Sequence, residues 1–273
     1  MLAALSAGVW GVADFSGGKA SQRANPLLVT VASQVLSIPV LLVCLLLVPG
    51  TPNAEDMLWG AVAGVAGLFG IVLLYRALSA GAMAVVAPTT AVTAAVVPLI
   101  VGLIVDASPG GLAIAGMVCA IVSIALVSLG PSDGGKVTTR LIGIALLAGA
   151  MFGVFFSLLG RASEEAGMWP LIAVRAASIG AGVIWLFAGT RPSLRMPRVA
   201  LAWAVPAGTL DIIANALFMA AAARGHLSVV AALASLYPAS TVLLALAVDR
   251  ERLRAVQVAG LGLAATALIL ASS

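Results

Sequence analysis

Ten apolar runs, each about as long as a bilayer-spanning helix and separated by short polar connections, leave this chain few folds to adopt. The first five are Leu2–Ser21, Leu27–Val48, Met57–Ser79, Ala84–Val105 and Leu112–Leu129. The second five are Leu141–Ala162, Trp169–Gly189, Val199–Ala223, Val229–Val248 and Leu253–Leu270. Only helices and closed barrels satisfy their backbone groups in lipid, and runs of this length read as helices. Composition agrees: 62% of the 273 residues are hydrophobic and 9% charged, against about 25% charged in a soluble domain. An ordinary soluble enzyme and a disordered chain are excluded. The expected fold is an all-α membrane protein with ten transmembrane helices.

The net charge of +4 does not point to nucleic acid. Lys and Arg stand between the apolar runs, where they set topology and meet lipid headgroups. Cys44 and Cys119 each lie inside an apolar run and read as small hydrophobes rather than a disulfide or metal pair. Leu2–Val12 is apolar but lacks a basic n-region, which argues against a cleaved signal peptide.

The two halves resemble each other. Gly18-Lys19-Ala20-Ser21 matches Gly160-Arg161-Ala162-Ser163, and Trp10-Gly11-Val12 matches Phe152-Gly153-Val154. Trp59 with Ala63-Gly64 matches Trp203 with Ala207-Gly208; Gly81 with Val85-Val86-Ala87 matches Gly225 with Val229-Val230-Ala231; Ala115-Gly116 matches Ala259-Gly260. The order is kept, and the offset drifts only from 142 (18 to 160) to 144 (81 to 225). The implied organisation is one unit over residues 1–130, a polar linker at 131–140 and a second unit over 141–273. Five helices per unit is an odd number, so the second copy must enter the membrane the opposite way. Two inverted repeats are the common plan of secondary transporters, with a site where the copies meet.

Trp10-Gly11 with Lys19, Gly225 through Leu236-Tyr237-Pro238, and Glu251-Arg252-Leu253 followed by Gln257 and Gly260 together resemble the EamA-type branch of the drug/metabolite transporter superfamily. The resemblance spans the chain as two five-helix units. Arg250 stands where the Gly-Glu-Arg-Leu segment of that family begins, and the first unit has Asp106-Ala107-Ser108 in its place. Trp10 through Phe15 with Gly17-Gly18 looks like a bacterial subgroup, which implies the plasma (inner) membrane. Family members export amino acids, other metabolites or drugs, so the resemblance implies a class and not a cargo. It also implies both termini inside, whereas the positive-inside rule applied to Lys19, Arg23, Lys136, Arg140, Arg191, Arg195, Arg198, Arg250, Arg252 and Arg254 puts them outside.

Ionisable groups inside a membrane are costly and mark functional candidates. Asp14 lies about 18 Å along the first helix at about 1.5 Å per residue. Buried there it is a candidate proton-exchange group for a cationic or zwitterionic substrate, as a first-helix carboxylate is in the small multidrug-resistance relatives; the alternative is a local cap or pair with Lys19 or Arg23. Asp211 and Asn215, four residues apart, share a face of the eighth helix that must point into the bundle. They either line the cavity or form an interhelical hydrogen-bond clamp. Arg175, whose repeat mate is Gln34, is placed to hold a substrate carboxylate, neutralise Asp14 or Asp211, or snorkel. Tyr237-Pro238 and Pro88 occupy matching helices, as hinges or as plain packing kinks. Trp10 and Tyr75 are cavity-wall candidates, and Trp59, Trp169 and Trp203 are candidates for an interfacial belt.

The leading expectation is a proton-coupled exporter of small amino-acid-like metabolites or drugs, working by alternating access in the lipid bilayer. A channel or a non-transport scaffold is the alternative. An intramembrane enzyme needs a nucleophile and a base, and His226 is the single histidine without a Gly-x-Ser-x-Gly segment. No cofactor or metal site is expected. A monomer suffices, because one chain carries both copies.

Overall fold

The computed structural model describes residues 1–79, 86–87, 89–97, 111–127, 138–188, 195–237 and 240, with a few positions between 255 and 266. Among them are nine α-helices, one 3₁₀ turn and no strand. The helices are α1 (Leu2–Ser21), α2 (Pro26–Leu36), α3 (Ile38–Leu47), α4 (Ala54–Leu78), α5 (Gly111–Val127), α6 (Thr139–Leu159), α7 (Trp169–Ala188), α8 (Arg198–Ala222) and α9 (Leu227–Ala234). Residues 89–97 are also helical. Among the described residues, five stretches are long and apolar enough to cross a membrane: Pro26–Leu47, Ala54–Leu78, Thr139–Leu159, Trp169–Ala188 and Arg198–Ala222.

The second run is one apolar stretch as expected, but a break at Ser37 divides it into two helices. Pro39 has no N–H to continue the ladder, so α2 stops at Leu36. Ser37 closes the break, with its hydroxyl donating to the Gln34 carbonyl at 2.7 Å. About half of the fourth and ninth runs, most of the tenth and all of linker residues 131–137 fall outside the described residues.

α1 is not among the apolar spans, because Asp14, Lys19 and several Gly and Ser lower its hydropathy. Its environment explains this. Twelve of its 20 residues are buried, so protein rather than lipid surrounds it. α3 is the reverse: Leu41 is its single buried residue, and Leu42, Val43, Leu46 and Leu47 face outward.

Small residues let the helices approach closely. A Cβ on Gly208 of α8 would overlap the Ser33 carbonyl of α2. On Gly60 and Gly64 of α4, a Cβ would run into the Pro170 and Val174 carbonyls of α7. The helix partners follow a pattern: α1 packs on α8 as α4 packs on α6, and α2 packs on α8 as α4 packs on α7. Exchanging corresponding helices of the two halves maps each pair onto the other.

One end of the bundle is tied by loops. The Thr51 N–H donates to the Glu165 carbonyl at 2.8 Å, and Trp169 Nε1–H to the Gly50 carbonyl at 3.0 Å. Asp56, buried in the first turn of α4, accepts from the Ser163 N–H at 3.0 Å and from the Ser163 hydroxyl at 2.5 Å, and also bonds Asn53. The start of α4 and the end of α6 therefore share this end, and so do Glu55, Glu164, Glu165, Arg161 and Arg224. Lys19, Arg23, Arg76, Arg140, Arg195 and Arg198 occupy the opposite helix ends.

Candidate functional site

The helix contacts leave a narrow cavity between the halves, lined by both. α1 contributes Trp10 and Asp14, α2 Gln34, α7 Arg175 and Ser178, and α8 Asp211 and Asn215. Tyr237, just beyond α9, completes the polar lining. α4 and α6 supply a different wall: Gly64, Gly67 and Ile71 from one, Phe152, Phe155 and Phe156 from the other.

Sequence places these groups by simple periodicity. Trp10 and Asp14 are one turn apart on α1, and Asp211 and Asn215 one turn apart on α8. Because α1 packs along α8, the two polar turns meet. Trp10 Nε1–H donates to Asp211 Oδ1 at 3.1 Å. Ser6 below them donates to the Ala214 carbonyl at 2.8 Å.

Arg175 resolves one of the alternatives left by the sequence. Its Nη2 lies 2.5 Å from Asp211 Oδ2, an ion pair with 4% and 18% of the two side chains exposed. It therefore neutralises Asp211 rather than snorkelling. Asn215 is held by its own helix, with its amide donating to the Asp211 carbonyl at 2.7 Å. Several polar atoms remain without a hydrogen-bond partner among the described residues: Arg175 Nε, Gln34 Oε1, Asn215 Oδ1 and Ser178 Oγ.

Asp14 lines the same cavity, and among the described residues no hydrogen bond or ion pair reaches its carboxylate. The local pairing foreseen as an alternative does not form: Lys19 Nζ lies 5.2 Å from the centre of the Phe15 ring, and Arg23 donates to the Lys19 carbonyl at 3.0 Å. The cavity thus carries two carboxylates and one guanidinium.

Tyr75 is buried but does not line the cavity. Its hydroxyl end packs on Gly17, where a Cβ would overlap the ring. Pro88 and Pro238, the expected hinges, lie outside the described residues. Pro206, five residues before Asp211, sits inside an unbroken α8. The belt tryptophans make protein contacts as well: Trp203 meets Phe15 edge-on at 6.1 Å, and Arg161 lies 5.1 Å over Trp59.

The aromatic wall is what sequence reasoning missed. Phe156 is 5.2 Å from Trp10 and 5.0 Å from Phe218, centre to centre, and Phe155 is 5.5 Å from Phe156. The signal was present in the internal repeat. At offset 142, Phe152 is the mate of Trp10 and Phe156 the mate of Asp14; at offset 144, Gly67 is the mate of Asp211.

A bundle of apolar helices around an internal cavity with buried charged groups on one wall fits an integral membrane protein. The model of the EamA-like transporter family matches residues 1–129 and 139–273. The chain belongs to this family, whose members are transporters rather than enzymes. A solved crystal structure at 16% sequence identity has the same fold, with a TM-score of 0.70 over 98% of this chain and 96% of the other. Comparison with the curated proteins by sequence gives no match.

Proposed function

We propose that the chain is a secondary transporter that exports small amino-acid-like metabolites or drugs in exchange for protons. Residues 1–130 and 141–273 act as two inverted units joined at 131–140, and they rock about the cavity between them. A carboxylate facing a cavity without a partner, beside a second carboxylate that already has one, is the observation that carries this reading. Asp14 is free to bind either a proton or a cargo cation, but not both at once, which is the requirement for exchange. Arg175 and Asp211 hold the second site neutral, Trp10 fixes the Asp211 carboxylate in place, and Asn215 lines the cavity beside them. Gln34 and Tyr237 line the route, and Pro88 and Pro238 serve as hinges in the repeat-related helices. The bacterial plasma membrane is the proposed location, and one chain is the working unit.

A channel is the competing reading, and counterflow separates the two. Proteoliposomes loaded with unlabelled cargo are diluted into trace labelled cargo, over a panel of amino acids and cationic drugs. A carrier accumulates label transiently and saturably. A channel equilibrates without accumulation, and a scaffold shows no protein-dependent uptake.

A further inference from the structure

We infer that the cavity opens at the end bearing Glu164 and Arg224, through a plug of side chains inside the second unit, with the Asp56–Ser163 bonds as its latch; this deepens the transport reading above and rests on it. The free space in the central cavity is only about 30 Å³, enough for about one or two waters. Anything larger enters or leaves only when the helices part. A second, wider recess of about 290 Å³ lies at the loop-tied end of the bundle. Leu159 and Ser163 line it from the end of α6 and the turn that follows, Met168 from just before α7, and Met219 and Ala223 from the end of α8. The two spaces come within about a turn of each other on two helices. From Phe156 in the cavity to Leu159 in the recess is about 4.5 Å along α6, and from Asn215 to Met219 about 6 Å along α8, at about 1.5 Å per residue.

Apolar side chains make up the layer between. Phe218 is fully buried on α8 and meets two cavity residues, Phe156 at 5.0 Å and Trp10 at 5.8 Å between ring centres. Leu171, also fully buried, stands between Met168 of the recess and Val174 of the cavity along the chain. α8 packs closely along α1 and α2, whereas α6 and α7 pack closely along α4. Long side chains rather than close helix packing therefore seal the boundary of α8 with α6 and α7. Such side chains swing aside without breaking a hydrogen bond. The latch is found at one end. Asp56 of α4 accepts from both the N–H and the hydroxyl of Ser163, at the rim of the recess, and bonds to a carboxylate are the strong ones. While they hold, the α6–α7 turn stays fixed on α4 and cannot swing away from α8. Ser21 is the repeat mate of Ser163, and its buried hydroxyl has no partner among the described residues. Offsets of 142 to 144 set Arg198, Val199 or Ala200 against Asp56, and none is a carboxylate.

Thiol labelling of the purified full chain in nanodiscs tests this in a Cys44→Ala, Cys119→Ala background. The probe is a trimethylammonium-bearing methanethiosulfonate, and mass spectrometry follows the labelling rate. Three reporters are compared: Leu171→Cys in the plug, Ala223→Cys on the exposed wall of the recess, and Ala145→Cys, buried near the opposite end of α6. Leu171→Cys should label about tenfold or more slower than Ala223→Cys. Adding Asp56→Asn should speed Leu171→Cys by about tenfold or more and leave Ala223→Cys and Ala145→Cys unchanged. Labelling of Leu171→Cys as fast as Ala223→Cys overturns the plug. No acceleration by Asp56→Asn, or equal acceleration at Ala145→Cys, overturns the latch. Labelling needs no cargo, so the transport reading fails separately: wild type without counterflow of any cargo refutes that reading while the labelling pattern stands.

Discussion

The Arg175–Asp211 pair sets the first prediction, because its energetics can be worked from its surroundings. The two side chains are 4% and 18% exposed, so water screens them little. Replacing Asp211 by Asn removes the charge while its amide oxygen can keep the 3.1 Å bond from Trp10. Arg175 then holds an uncompensated charge inside the bundle, a cost of about 3–5 kcal/mol. Arg175→Gln strands the carboxylate in the same way and copies the Gln34 of the first half. In a chain of this size about 1 kcal/mol moves a melting midpoint by about 2–4 °C, so each single variant should melt about 6–20 °C lower. The double variant has no stranded charge and a Gln–Asn contact in place of the pair. It should lose less than half of what either single variant loses, a strong non-additivity. Fluorescence-detected thermal unfolding of the four proteins in one detergent reads this directly. Losses in the double variant that equal the sum of the two singles would refute the claim that these groups act as a buried pair.

Two further outcomes follow from packing and charge. Gly208→Ala puts a methyl into the Ser33 carbonyl and should lower the midpoint through strain of about 1–3 kcal/mol, whereas Gly8→Ala, with open space around it, should be neutral or slightly stabilising. The helix ends that carry Lys19, Arg23, Arg76, Arg140, Arg195 and Arg198 should face the cytoplasm, so in whole cells an impermeant thiol reagent should label Glu164→Cys and not Arg195→Cys.

Much of the fold is legible in the sequence because lipid enforces a simple rule: long apolar runs must be helices. The same rule hides two features. Pro39 sits in a run whose hydropathy never falls, so hydropathy passes over the break that its missing N–H creates. α1 shows the opposite case, a helix too polar for lipid because its neighbours shield it. At the site, Asp14, Arg175, Asp211 and Asn215 stand out since each is costly in a membrane unless it has a purpose, and the cavity brings all four together. Tyr75 looked equivalent by residue type, yet its direction depends on Gly17, a contact that periodicity does not encode. Phe152, Phe155 and Phe156 are unremarkable as apolar residues. Phe152 and Phe156 acquire meaning only against their repeat mates, where a tryptophan and an aspartate stand in the other copy.

Proton movement tests the central claim most directly. A pH-sensitive dye sealed inside proteoliposomes reports proton flux when a cargo identified by counterflow is added outside, with wild type and Asp14→Asn compared at equal reconstitution. The account predicts a cargo-dependent, saturable proton flux in wild type and none in Asp14→Asn. Proton flux of wild-type size in Asp14→Asn, or wild-type cargo transport with no proton movement, would contradict it.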